Sequence, residues 1–222
     1  MTAPLIETRD LRVYYPAGAV FGRRRWVAGP LSLEVRENEF VGLAGPSGSG
    51  KTSIGKALLN LIPTWDGQVF WLGQDVRRTA LQRLRPQFGW ISQEPTLAFN
   101  PRRRIAEVLD ETLTVNGLKD GGNIPALCES MNLDPALLSR YPFELSAGQI
   151  QRLALVRVFM LRPKFIVLDE PTSSLDPINQ LQILEHILDW RRSHGLGALF
   201  IAHSRRLLEH VADRVITLGD QA

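Results

Sequence analysis

Gly45-Pro46-Ser47-Gly48-Ser49-Gly50-Lys51-Thr52 stands between a strand-like run, Phe40-Val41-Gly42-Leu43, and a helix-like run from Ser53 to Leu61. Strand, glycine-rich turn and helix in that order make a phosphate-binding loop. Glycines let the backbone wrap a polyphosphate so that successive N–H groups point inward, and the helix beginning here adds the positive end of its dipole. Gly45, Pro46, Ser47, Gly48, Ser49, Gly50 and Ser53 are the expected nucleotide contacts. Lys51 supplies a mobile point charge for the β and γ phosphates, and the Thr52 hydroxyl can ligate Mg²⁺. A plain glycine turn before an ordinary helix is the bland alternative. The two fixed glycines, the Lys-Thr pair and the flanking elements together argue against it.

The 222 residues fit one large domain, or a core domain with a subdomain, and so one nucleotide site per chain. Lys and Arg total 26 against 23 for Asp and Glu; a net charge of +3 is too mild to imply nucleic acid, and no such partner is expected. The single cysteine, Cys128, excludes an intrachain disulfide and a thiolate cluster, and a buried free thiol is expected. No window approaches the ~18 to 20 apolar residues that span a bilayer, so the chain is expected to be soluble and cytoplasmic.

Leu5 to Tyr15 and Leu31 to Val35 alternate apolar with polar residues as half-buried strands of an antiparallel edge sheet. Pro16 to Pro30 between them reads as a protruding loop whose basic run, Arg23-Arg24-Arg25-Trp26, is solvated. Gln68 to Gly73 and Phe88 to Ser92 are further strands, separated by a basic segment from Arg77 to Arg85. Ile105 to Val115 and Ile124 to Met131 have helical spacing. Residues from about 100 to 145, punctuated by Gly121-Gly122 and prolines, read as a helical subdomain inserted into an α/β core made of 1–99 and 146–222. Ile150 to Leu161 reads as an amphipathic helix, Phe165 to Leu168 as a central parallel strand, and Pro177 to Arg192 as a helix. The strand Ala198 to Ile201, the helix Arg205 to Val211 and the strand Val215 to Leu218 complete the series.

The apolar run at 165–168 ends in Asp169-Glu170, two carboxylates at the carboxyl edge of a parallel sheet, where such sheets bind ligands. Asp169 suits Mg²⁺ through water, since this ion keeps part of its hydration shell. Glu170 is then free to polarise the attacking water. A pair of surface acids is the bland reading, and the upstream loop weighs against it.

Leu145-Ser146-Ala147-Gly148-Gln149, followed by Ile150-Gln151-Arg152 and an Ala/Leu/Val helix, resembles the Leu-Ser-Gly-Gly-Gln signature of ABC-transporter ATP-binding subunits. The resemblance covers nearly the whole chain with its motifs in order. It implies a P-loop NTPase core, mostly parallel sheet flanked by helices, with an N-terminal antiparallel β subdomain and an inserted helical signature subdomain. It implies ATP and Mg²⁺ as cofactors, and an ATPase that energises transport. Ser146, Gly148 and Gln149 would face the γ-phosphate of ATP held by an opposite subunit. Gln93 matches the glutamine that senses Mg²⁺ and water and couples the site to the membrane partner, and Ser173-Ser174-Leu175-Asp176 matches the D-loop at the dimer interface. His203 matches the switch histidine at the γ-phosphate, and Tyr15, with Tyr14 as the alternative, the aromatic that stacks on adenine.

Ser92-Gln93-Glu94-Pro95 through Asn100-Pro101-Arg102, with Tyr141-Pro142 before the signature, is similar to the oligopeptide, dipeptide and nickel importer subfamily. The implied partners are a second ATP-binding subunit, identical or not, transmembrane permease subunits and, indirectly, an external substrate-binding protein. The expected location is peripheral, on the cytoplasmic face of the membrane; the cargo is a peptide, nickel or a metal chelate. A soluble ATPase of a phosphonate-breakdown complex and a weakly hydrolysing regulatory subunit are the alternatives. Departures from the family pattern are Ala147 for the first signature glycine, expected to be tolerated, and Ser204 where Asp usually follows the switch histidine. The sequence ends at Asp220-Gln221-Ala222, ahead of the closing strands and the C-terminal extension of many such subunits, and functions housed there are expected to be absent.

Overall fold

The computed structural model describes residues 3–17, 24–119, 122–173 and 175–218. Arg23, Gly121, Ser174 and Asp220-Gln221-Ala222 lie outside them. The elements run β1 (Ile6–Pro16), β2 (Arg24–Val35), β3 (Phe40–Ala44), α1 (Lys51–Leu58), β4 (Trp65–Trp71), β5 (Gln74–Asp75), β6 (Phe88–Ile91), α2 (Ile105–Val115) and α3 (Ile124–Ser130). They continue with α4 (Ala147–Phe159), β7 (Phe165–Asp169), α5 (Pro177–His194), β8 (Gly197–Ile201), α6 (Arg205–Val211) and β9 (Arg214–Thr217).

Two sheets result. One is antiparallel in the order β2-β1-β4-β5; the other is parallel throughout, β6-β7-β8-β3-β9. Every residue of β3, β7 and β8 is buried, as continuously apolar strands covered on both faces must be. Period-two alternation sends their side chains to two cores. Val41, Leu43, Val167, Leu199 and Ile201 pack toward α1 and the antiparallel sheet, while Phe40, Ile166, Leu168, Ala198 and Phe200 pack toward α2, α4, α5 and α6. Helix α1 lies close on the sheet. At Gly55 a methyl group would come within 2.9 Å of both Trp90 and Val167, so the glycine sets the depth of the helix that carries Lys51 and Thr52.

Residues 24–30 depart from the expected loop: they are the first half of β2, with Tyr14 opposite Trp26 and Pro16 opposite Arg24. Trp26 meets Tyr14 edge-on at 5.4 Å, and Arg24 lies over the Tyr14 ring and pairs with Asp66. Aromatic and cation–π contacts across the strands thus outweigh the turn-forming tendency of Gly29 and Pro30, which instead coincide with register shifts between β1 and β2. Helix α4 also departs from expectation. It is not amphipathic but buried nearly all round, from Ile150 to Phe159. The 100–145 region holds α2, α3 and short 3-10 turns with no strand among its described residues. Its apolar residues, Leu109, Leu113, Cys128 and Met131, join the α4 core rather than forming a separate one. Cys128 is a free, buried thiol whose pKa burial pushes up to about 11, with Glu129 adding to the shift.

Candidate functional site

Strand order assembles the site. Neighbouring strands β6, β7, β8 and β3 end at one edge of the parallel sheet and are followed by Gln93, Glu170, His203 and the 45–52 loop respectively. Residues distant in sequence are therefore brought side by side, at the carboxyl edge where parallel sheets bind ligands.

The loop is shaped for an anion. Gly50, at φ +87°, is the N-cap of α1, and a Cβ there would stand 2.5 Å from Ala28 and 2.7 Å from the Val27 carbonyl. Gly48, at φ +78°, has open space where a side chain would be. A backbone in this left-handed region turns its N–H groups to one side and suits glycine. Lys51 is buried, its Nζ donating to the carbonyls of Gly45 at 2.8 Å and Pro46 at 2.9 Å. Ser47, Gly48, Gly50, Lys51, Thr52 and Ser53 share a pocket of about 390 Å³ with Tyr15, Val27, Glu170 and His203. Tyr15 reaches it through its hydroxyl, 3.1 Å from Ser53 Oγ, whereas Tyr14 is engaged by Trp26 on the other face of β1. Val27 was not expected here. It lines the pocket because β2 extends over the loop, and only the Trp26-Val27-Ala28 apolar run within the Gly/Pro-rich segment signals it in sequence.

Around Glu170 a short network closes. His203 Nε2 stands 2.6 Å from Glu170 Oε1, and Gln93 Nε2 donates to Glu170 Oε2 at 3.2 Å. Glu170 has φ +50°, unusual for a residue with a side chain, and its N–H donates to the Ile201 carbonyl at the end of β8. Backbone strain of this kind persists where surrounding structure holds it, here the adjacent strand. Asp169 is the last residue of β7, and its Oδ1 accepts from Thr52 Oγ1 at 3.1 Å. Burial pushes the Asp169 carboxyl above its ordinary value; the Thr52 hydrogen bond opposes this, Glu170 adds to it, and Lys56 and Lys51 oppose it. Burial disfavours the charged form of this carboxylate, and a cation beside it would offset that cost. Thr52, Asp169 and Gln93 all line a neighbouring cavity of about 430 Å³ and offer the oxygen donors that Mg²⁺ takes. Gln93 is held to Glu170 by its nitrogen, so the atom a cation would use is not the one spent on that contact. No cluster of three or more His, Cys, Asp or Glu side chains suited to a metal occurs among the described residues.

The remaining expected contacts do not join this pocket. Ser146 caps α4 in a reciprocal box, with Gln149 N donating to Ser146 Oγ at 3.3 Å and Ser146 N to Gln149 Oε1 at 2.9 Å. Gly148 lies against Asn179, and Asp176 caps α5 through the Ile178 and Asn179 amides. Ala147 is exposed in the first turn of α4, where it favours helix over the usual glycine. Ser204 caps α6 by accepting from the Leu207 amide, so its side chain serves the helix end.

A phosphate loop, a carboxylate-ended strand beside it and a capped helix after a helical insertion define an ATP-binding cassette. The chain belongs to the ABC transporter family, whose profile matches residues 28–173, and it is an ATPase of that family. It is 36% identical to a peptide import ATP-binding protein of Brucella ovis, over 97% of this chain and 69% of the relative. It is 32% identical to the oligopeptide transport ATP-binding protein OppF of Salmonella typhimurium, over 96% of this chain and 68% of that one. Among solved structures, an ATP-binding subunit of an ABC transporter superposes with a TM-score of 0.80 at 25% identity, covering 96% of this chain and 85% of the other. The cassette MJ0796, solved as a dimer, superposes with a TM-score of 0.83 at 22% identity, covering 96% and 94%, a likeness of fold.

Proposed function

We propose that this chain is the ATP-hydrolysing subunit of a peptide importer, acting as one of two ATP-binding subunits attached to membrane permeases. The observation that carries the reading is the convergence of Gln93, Glu170 and His203 beside the phosphate loop. The peptide-import relatives support the cargo class and weigh against the phosphonate-breakdown alternative. No helix of the described residues is long and apolar enough to cross a membrane, and attachment would be through the permeases.

Lys51 and the loop amides hold the β and γ phosphates, Tyr15 packs on the base, and Glu170 takes a proton from the attacking water while His203 and Gln93 keep its carboxylate aimed. Thr52, Asp169 and Gln93 would hold Mg²⁺, which when bound neutralises phosphate charge. Ser146, Gly148, Gln149 and Asp176 lie away from the chain's own phosphate loop pocket, which supports their serving the nucleotide of a second subunit. Gln93 and residues 94–104 would carry the state of the site to the permease, since Gln93 touches Glu170 at one end of that segment.

The test is ATP hydrolysis by the chain co-expressed with neighbouring permease genes and any second ATPase, as wild type and Glu170→Gln. Turnover that depends on the complex and vanishes in the variant is expected. A chain that binds ATP but enters no membrane complex would end the transport reading.

A further inference from the structure

One side chain links the start of α5 to α4. Asn179 Nδ2 donates to Asp176 Oδ2 at 2.6 Å, and Asn179 Oδ1 accepts from Arg152 Nη2 at 2.7 Å. The same amide lies under Gly148, where a Cβ would stand 3.3 Å from Asn179 Oδ1. Gly148 therefore has a use apart from any ligand: it leaves room for this amide.

Elsewhere the two helices meet through the stacked rings of Phe159 and Trp190, 4.3 Å apart, and through shared apolar packing. Arg152 also donates to Gln182 Oε1, so its guanidinium rests on two neutral amides, and it forms no carboxylate ion pair among the described residues. Residues 179, 182 and 186 follow one another at helical spacing along α5. Buried polar atoms without a hydrogen-bond partner cluster along these helices: Gln151 Nε2, Arg152 Nε and His186 Nε2. Buried unpartnered groups do not fix a register, because none of them rewards one alignment over another. Asn179 differs from them: its acceptor is committed to Arg152 on α4 and its donor to Asp176, the cap of its own helix.

We propose that Asn179 is a positioning residue, a joint that makes Asp176 and the Ser146–Gln149 turn move as one body when two ATP-binding subunits close on nucleotide. This rests on the reading that both motifs serve the opposite subunit's ATP. Closure needs the signature turn and the Asp176 loop to arrive together, and an amide bonded to the Asp176 cap and to Arg152 on the signature helix couples their positions.

Turnover of the complex described above, with nucleotide binding and melting of the isolated chain alongside, tests this. Asn179→Leu breaks both ties and is expected to cut turnover about tenfold, while the isolated variant stays folded, with a modestly lower Tm, and binds a fluorescent ATP analogue like wild type. Asn179→Asp keeps the acceptor for Arg152 but sets a carboxylate against Asp176. Its deficit is expected to shrink as pH falls from about 8 to about 5.5, because one of two facing carboxylates takes up a proton, a profile that packing alone would not produce. Ser146→Arg, which obstructs the signature turn itself, is expected to abolish turnover. If Asn179→Leu works at the wild-type rate, or Asn179→Asp shows the wild-type pH profile, while Ser146→Arg is dead, the joint is refuted and the signature reading stands. If Ser146→Arg is also silent, that reading fails and the joint falls with it. Loss of folding or nucleotide affinity in isolated Asn179→Leu, together with a wild-type profile in Asn179→Asp, would make Asn179 a packing residue.

Discussion

The phosphate-loop edge and the signature edge carry equally recognisable sequence motifs, yet they are built differently. At the first, four neighbouring strands deliver Gln93, Glu170, His203 and Lys51 to one place, where they hydrogen-bond to one another or to the loop carrying them. At the second, Ser146, Gln149 and Asp176 satisfy only the ends of their own helices, and no pocket among those described gathers them. One region is a site within a chain; the other is the surface that the proposed reading gives to a second chain's nucleotide.

Substitutions can break this contrast. Glu170→Gln should produce the largest effect, a loss of about 10²- to 10⁴-fold in turnover with nucleotide affinity retained, measured by phosphate release and by analogue binding. Lys51→Ala should weaken ATP binding to the isolated chain by about 10- to 100-fold, seen in fluorescence titration; an unchanged affinity would mean that the pocket is not the nucleotide site. Gly50→Ala places a methyl against Ala28 and the Val27 carbonyl at a positive φ. It should lower stability by roughly 2 kcal/mol and Tm by about 4–8 °C.

The smallest effect sharpens the second region. Asp176 is held below its ordinary carboxyl value first by the Asn179 side chain and then by the Asn179 amide. A depressed folded-state value means that the cap's contribution is complete above the ordinary carboxylate range and is lost as pH falls through the lowered value. In Asn179→Leu the Asp176 carboxyl should titrate at higher pH than in wild type, as followed by carbon-detected NMR.

What could be read from the sequence follows the same division. Continuously apolar strands such as Phe165–Asp169 and Gly197–Ile201 announce themselves because both faces are buried, and the residues that follow them then fall at the sheet edge. Arg24–Pro30 was illegible as strand because its pairing depends on Tyr14 and Asp66, partners that composition does not reveal, while Gly29 and Pro30 argue locally for a turn. Missing that strand also hid Val27 from the candidate site. Gln74–Asp75 is too short to carry a periodicity. Helix α4 differs in another way: an amphipathic reading gives its polar Gln151 and Arg152 a wet face, but Gln151 is buried and Arg152 bonds to α5. Asn179 had no motif to mark it, since its bond to Arg152 exists only once α4 and α5 are packed.

The Lys51 ammonium commits two of its three N–H donors to the Gly45 and Pro46 carbonyls, so a first phosphoryl oxygen adds to it and any further one must take the place of a backbone acceptor. The tether therefore holds the cation in place before nucleotide arrives and leaves one donor pointing free. A ligand with a single phosphoryl group meets that one donor, whereas a polyphosphate reaches the ammonium and the loop amides together. The lysine is thus held ready in advance, and longer phosphate chains draw more from the same loop.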